Sequence, residues 1–176
     1  MNKTYAPFLL GVLANCAISN QAISQEDIHT FSFKGGISVS LSEIQYSQSD
    51  IAACINDKTV CRTNGDIVFG SDNENPTSYL NAMSISVDGK TYNLDTSNMY
   101  NAWQGKPKEI DGVIKYLHAS CFNSNNCTVR GLFSDAAGSY IAEWKVINSL
   151  PYRTVLTSSG DLVRTFIKNI HPPIYE

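Results

Sequence analysis

Charge and histidine are both sparse in this chain. Asp, Glu, Lys and Arg make up 16% of its 176 residues, 13 basic against 16 acidic, for a net charge of −3. The basic residues are scattered, and the one local concentration, Lys106 and Lys108 around Pro107, reads as a solvated loop. Neutralising a phosphate backbone takes clustered Lys and Arg, so nucleic acid is set aside as a partner. His29, His118 and His171 stand far apart in sequence, and no H-E-x-x-H, G-x-S-x-G, S-x-x-K or glycine-rich phosphate loop occurs, which removes the common hydrolase readings. No C-x-x-C is present either, which argues against a thiol redox pair and against zinc held by four thiolates. No catalytic residue, metal site or cofactor is expected.

Long apolar runs are missing beyond the first residues. Tyr5 to Ala14, interrupted only by Pro7 and Gly11, follows Lys3 and is too short to cross a bilayer, which takes about 20 apolar residues. Residues 1–24 therefore have the three-part build of a secretory signal. Small residues occupy the −3 and −1 positions twice, in Ala17-Ile18-Ser19 and in Ala22-Ile23-Ser24, so cleavage after Ser19 and after Ser24 both stay open. Leu13-Ala14-Asn15-Cys16 offers a competing lipoprotein box with Cys16 as the lipidated residue, although Asn15 stands where such boxes take Gly, Ala or Ser. The expected destination is a bacterial periplasm, with secretion or lipid anchoring through Cys16 as the alternatives. Residues 25–176 are then one domain, a length of about 150 that can bury its own core.

Either maturation route, cleavage or lipidation, takes Cys16 out of the disulfide count and leaves Cys54, Cys61, Cys121 and Cys127. An even number of cysteines in an exported domain points to disulfides. Four cysteines allow three connectivities; the two local pairs, Cys54 with Cys61 and Cys121 with Cys127, are favoured because each separation suits a short loop whose ends meet.

Alternation of apolar and polar residues marks most of the remaining chain as strand. His29–Phe33 and Ile37–Ile44 form one expected hairpin about Gly35-Gly36, and Ile67-Val68-Phe69 a short strand. Tyr79–Val87 and Lys90–Leu94 flank Asp88-Gly89, a pair that tolerates the positive φ of a type I′ turn. Val113–Ala119, Thr128–Phe133, Ser139–Ile147 and Tyr152–Thr157 read as a four-stranded meander. Ser97–Gln104 is expected to be a short helix capped near Asp95–Ser97 and closed by Gly105. Asp161–Ile170 is expected to be an amphipathic helix with Leu162, Val163, Phe166, Ile167 and Ile170 on one face. The fold class is α+β: a mainly antiparallel sheet, as a sandwich or open barrel, with the C-terminal helix packed on it.

Chemistry is harder to find than architecture. Glu143 with Asp135, or Glu109 with Asp111, could form a carboxylate pair for glycoside hydrolysis. Asp72, Asn73, Glu74 and Asn75 offer hard oxygen ligands but lack EF-hand spacing. Tyr100, Trp103, Tyr140 and Trp144 could present a glycan platform. Ser134-Asp135-Ala136-Ala137-Gly138-Ser139-Tyr140 resembles the loop of periplasmic lysozyme inhibitors, in which a serine and glycine followed by a tyrosine enter the enzyme cleft. It departs from that loop at Ala137, which stands where the serine would be, and in a spacing to Tyr140 that is one residue short. Asp135, Gly138, Ser139 and Tyr140 are accordingly a candidate binding loop, with a plain β-turn as the competing reading.

Small size, export, stapled loops and the lack of reactive constellations together point to a non-catalytic envelope protein that binds another protein, such as an inhibitor or immunity protein against a wall-degrading enzyme. An enzyme or glycan-binding module acting on wall polysaccharide is the alternative.

Overall fold

Period-two alternation fixes which side of each strand is buried, and the pairing of strands follows from it. The computed structural model describes residues 26–45, 62–63, 66–71, 76–103, 109–110, 113–114 and 116–170. The leader (1–24), Cys54, Cys61, residues 72–75, Lys106, Lys108, Asp111 and His171 lie outside the described residues. The strands are β1 (Glu26–Phe33), β2 (Ile37–Gln45), β3 (Arg62–Thr63), β4 (Asp66–Ile67), β5 (Ser78–Val87), β6 (Lys90–Leu94), β7 (Glu109–Ile110), β8 (Val113–Ile114), β9 (Leu117–Asn123), β10 (Asn126–Phe133), β11 (Tyr140–Ile147) and β12 (Leu150–Thr157), followed by helix α1 (Gly160–Lys168).

Two four-stranded antiparallel sheets result, ordered β1-β2-β5-β6 and β12-β11-β10-β9. This is the expected α+β class, a mainly antiparallel sandwich with a C-terminal helix. One sheet contributes Val39, Leu41, Leu80, Met83 and Ile85 to the interior and the other Val129, Phe133, Tyr140, Ala142 and Trp144, each almost wholly removed from water. Burying a large apolar side chain stabilises by roughly 1.5–3 kcal/mol, so this layer dominates the stability. Trp103, Phe133 and Tyr140 stack in sequence with centroid spacings of 5.3 and 5.5 Å, while Trp144 meets Phe133 edge-on at 6.0 Å.

Turn chemistry sets the registers. Asp88 and Gly89 have φ of 48° and 73°, the left-handed pair that a type I′ hairpin requires, and β5 and β6 pair up to Val87 and Lys90 as the sequence predicts. Asn148 and Ser149, with φ of 50° and 68°, make up the whole β11–β12 turn, so β12 begins at Leu150, before the expected Tyr152. Pro151 therefore lies inside β12, where an edge strand tolerates a missing N–H.

Three elements differ from expectation. Thr96–Trp103 is not helical; it runs as turns, with bridges from Phe69 to Met99 and from Tyr79 to Tyr100 and with positive φ at Asn98 and Asn101. Asp95 Oδ1 accepts from both the amide and the hydroxyl of Ser97, at 2.9 and 2.6 Å, a bond that an N-cap also makes. What breaks the helix is the left-handed backbone at Asn98 and Asn101, φ 62° and 44°. Val113–Ala119 is split between β8 and β9. In β5 the pairings Glu43↔Leu80 and Ser42↔Ala82 make Asn81 an extra residue, so Leu80 and Met83 both point inward where strict alternation would separate them.

Helix α1 lies on the outer side of the β9–β12 sheet. Arg130 sits 5.9 Å from the Phe166 ring centroid and donates to the Asn169 carbonyl at 3.1 Å. Ile170 is buried just beyond the helix, whereas Leu162 and Ile167, expected on the covered face, are 51% and 43% exposed. Ser159 occupies the N-cap without a side-chain capping bond.

Candidate binding groove beside the disulfide

Strands β9 and β10 would pair in simple register but for one residue. Asn126 faces Asn123 and Cys127 faces Cys121, so Phe122 is left over as a bulge. A bulge bends its strand and re-aims the extra side chain. Phe122 is accordingly turned out to solvent, 80% exposed, the most exposed large apolar side chain among the described residues. Cys121 and Cys127 are joined beside it by a disulfide, with S–S 2.06 Å and Cα–Cα 4.0 Å. This is one of the two expected local pairs; the other cysteines are outside the described residues.

The turn beyond the disulfide is held by its neighbours. Lys90 Nζ donates to Asn125 Oδ1 at 2.6 Å, the Tyr92 hydroxyl to the Ser124 carbonyl at 2.7 Å, and the Ser149 amide to the Asn125 carbonyl at 2.9 Å. Three turns are thereby tied together at one end of the sandwich. Facing them is the β1–β2 turn, where Gly35 and Gly36 have φ of 80° and 70°.

An open groove of about 730 Å³ lies between these two groups of turns. Ile37 and Val87 form its apolar floor with half-buried Phe33, and one wall is the unbroken run from His118 to Asn123. The Phe33 and His118 rings meet edge-on at 6.1 Å. Lys34 and Asp88, one charge of each sign, stand at the turn end. Sequence reasoning missed this site. The available signal was Phe122 itself, a large aromatic next to a cysteine in an otherwise Ser/Asn-rich turn.

The loop singled out from sequence is built differently. Asp135 is exposed and Ser139 half-exposed, but Gly138 is buried against Gly70, whose carbonyl oxygen would be 3.3 Å from an added Cβ. Tyr140 belongs to the core: it is fully buried, and its hydroxyl donates to the Tyr100 carbonyl at 3.1 Å. Burial, with the Glu43 charge nearby, pushes the phenol well above its ordinary value, more than Arg153 lowers it, so it stays a protonated donor. The inward Tyr140 separates this loop from the lysozyme-inhibitor loop it resembles.

The aromatic platform is likewise spent on packing. Trp144 is fully buried and donates to the Asp95 carbonyl at 2.8 Å; Trp103 is stacked on Phe133, and Tyr100 is half-buried. Glu143 does not face a substrate. It is 8% exposed and accepts from Arg130 Nε at 2.6 Å and from Thr154 Oγ1 at 2.9 Å. A second buried carboxylate, Glu43, accepts from Ser78 Oγ and from the Trp103 amide at 3.4 Å, and nearby Asn101 Oδ1 accepts from the Thr77 amide at 2.9 Å. His29 stacks on Phe31 at 6.3 Å on the inward side of β1.

Among the described residues no group of three or more His, Cys, Asp and Glu side chains converges on a metal-sized site, and no helix is long and apolar enough to cross a membrane. The chain matches no family model, and comparison with curated proteins and with solved structures returns no match.

Proposed function

We propose that the chain is an exported, non-catalytic binding protein of a bacterial envelope, which docks another protein through the disulfide-held end of its sandwich. A partner of the expected kind is a wall-degrading enzyme that the protein restrains. The observation that carries this reading is Phe122, which a bulge aims into solvent and a disulfide fixes in place beside an apolar groove. Large aromatics are the usual anchors of protein interfaces, and one held in position loses little conformational freedom on docking. The disulfide itself favours a compartment outside the reducing cytosol.

Wall hydrolysis has weaker support, because the best carboxylate candidate, Glu143, is engaged by Arg130 and Thr154. The decisive experiment captures partners from periplasmic extract on the immobilised mature protein. Wild type is expected to retain one dominant protein. Phe122→Ala is expected to weaken that binding roughly 30-fold, equivalent to about 2 kcal/mol for an interface anchor, while leaving the far-UV spectrum unchanged. Recovery of no protein by the wild type overturns the reading.

A further inference from the structure

We infer that α1 is a hinged lid, which lifts from the β9–β12 sheet as a unit while the sandwich stays folded, and that Arg130 is the catch holding it down. Opening uncovers a patch that the closed molecule hides, Ile141 together with the Arg130–Glu143 ion pair. The inference stands apart from the protein-binding reading above.

The first ground is what lies beneath the helix. Along β11 every residue from Tyr140 to Trp144 is buried, and alternation of buried with exposed returns only from Lys145 onward. Successive strand side chains point to opposite faces, so β11 is covered on both sides over its first half and on one side after it. α1 packs on β11 from the outside. Ile141 and Ile170 are buried but stand apart from the apolar cluster between the two sheets. Losing this second layer leaves the first intact.

How lightly the helix is held supplies the second ground. Of its nine residues Val163 and Phe166 are half-buried, and the rest, Leu162 and Ile167 among them, are exposed. Isolated helices shorter than about 12–15 residues are marginal in water, so α1 keeps its form only while docked. Two of its side-chain bonds stay within the helix: Thr165 Oγ1 donates to the Asp161 carbonyl at 2.9 Å, and Arg164 pairs with Asp161. Neither crosses to the sheet.

The placing of the ties supplies the third. Arg130 donates through Nη1 to the Asn169 carbonyl and lies against the Phe166 ring, and Ile170 is buried one residue further on. Arg130 is in turn fixed by Glu143, which accepts from its Nε at 2.6 Å. A guanidinium can serve both partners because it carries its donors in a rigid fork. The opposite end of α1 is built as a joint: Ser158, Ser159 and Gly160 are exposed, and Ser159 makes no side-chain capping bond. A glycine beside an uncapped serine puts little restraint on backbone rotation. A lid fastened at its far end and loose at its root opens by turning about Ser158–Gly160.

The test is amide hydrogen exchange on the full mature protein, in urea well below the unfolding transition. Amides of α1 are expected to exchange about 100-fold faster than the slowest amides of β10 and β11, because they open without the sheet. Arg130→Lys keeps a charge for Glu143 but loses the fork; it should speed exchange in α1 about tenfold more and leave β10 and β11 unchanged. Thr165→Pro, which forbids the helix, should abolish protection in α1. Its urea midpoint by tryptophan fluorescence should match wild type, since Trp103 and Trp144 both pack within the sandwich. One common exchange rate for α1 and the sheet overturns the inference, and so does a Thr165→Pro protein without a cooperative transition. Equal acceleration of helix and sheet by Arg130→Lys would overturn the assignment of Arg130 as the catch.

Discussion

Gly70 is the residue on which the most depends for the least visible reason. Its φ is +93°, and a Cβ there would lie 1.9 Å from the Tyr100 carbonyl oxygen, which also accepts the Tyr140 hydroxyl. Its own carbonyl accepts from Asn101 Nδ2 at 2.9 Å. Gly35 has a similar φ of +80° but open space around it. Gly70→Ala should therefore combine a left-handed backbone with a backbone collision and cost about 3 kcal/mol or more. Gly35→Ala meets only the first difficulty and should cost about 1 kcal/mol. Urea unfolding monitored by tryptophan fluorescence compares them, and equal midpoints would show that the Tyr100 segment yields freely. The sequence marks Gly35-Gly36 as a turn but gives no sign that Gly70 is crowded; that crowding is made by a loop that arrives thirty residues later.

At the level of the element, what the sequence announces is alternation and what it conceals is bulges. The Asp88-Gly89 hairpin, the β9–β12 meander and the final helix are all legible because period and turn residues are properties of one segment. Bulges at Asn81, Phe122 and Thr154 depend on the register of the neighbouring strand, so single-segment reading cannot place them. Phe122, the main candidate for recognition, was hidden for that reason. Tyr140 misleads in the opposite sense: a tyrosine after a small-residue loop looks like a reader, but it begins β11 on the inward face. The Cys121–Cys127 bridge ties the Phe122 bulge to β10. Replacing both cysteines by alanine should lower stability by about 2 kcal/mol, the loop-closure value for so short a ring. The ladder from Thr128 to Gly131 should persist, and amide exchange at Phe122 and Asn123 should rise by more than global unfolding accounts for. Uniformly faster exchange across β9 and β10 would mean that the bridge stabilises the whole sheet without fixing the bulge.

Across the whole molecule the two sides of the sandwich are closed unequally, and that asymmetry places the groove. On the β6–β12 side, Arg153 reaches over to the Ser97 carbonyl at 2.6 Å and to the Asp95 carboxylate at 3.1 Å, beside the Trp144–Asp95 bond. On the β1–β9 side β9 also meets β1 and β2, but through the Phe33–His118 edge contact and without such a latch, and the groove opens toward the turns. Asp95 is thus the acidic half of the latch on the closed side. Partial burial pushes its carboxyl up, but the Ser97 hydroxyl and amide and the Arg153 guanidinium outweigh this and hold it below the ordinary 3.8. A carboxyl depressed in the folded state stabilises that state above its unfolded value and ceases to do so as pH falls through the folded one. The latch should therefore be fully present at pH 5–7 and lost on acidification below about 4. Asp95→Asn should be less stable than wild type at pH 7, with the difference shrinking as pH is lowered through 3. Urea midpoints measured at pH 7, 5 and 3 at fixed ionic strength test this. A gap that stays constant with pH would assign the closure to the backbone carbonyls, which Arg153 and Trp144 would continue to engage whatever the charge on Asp95.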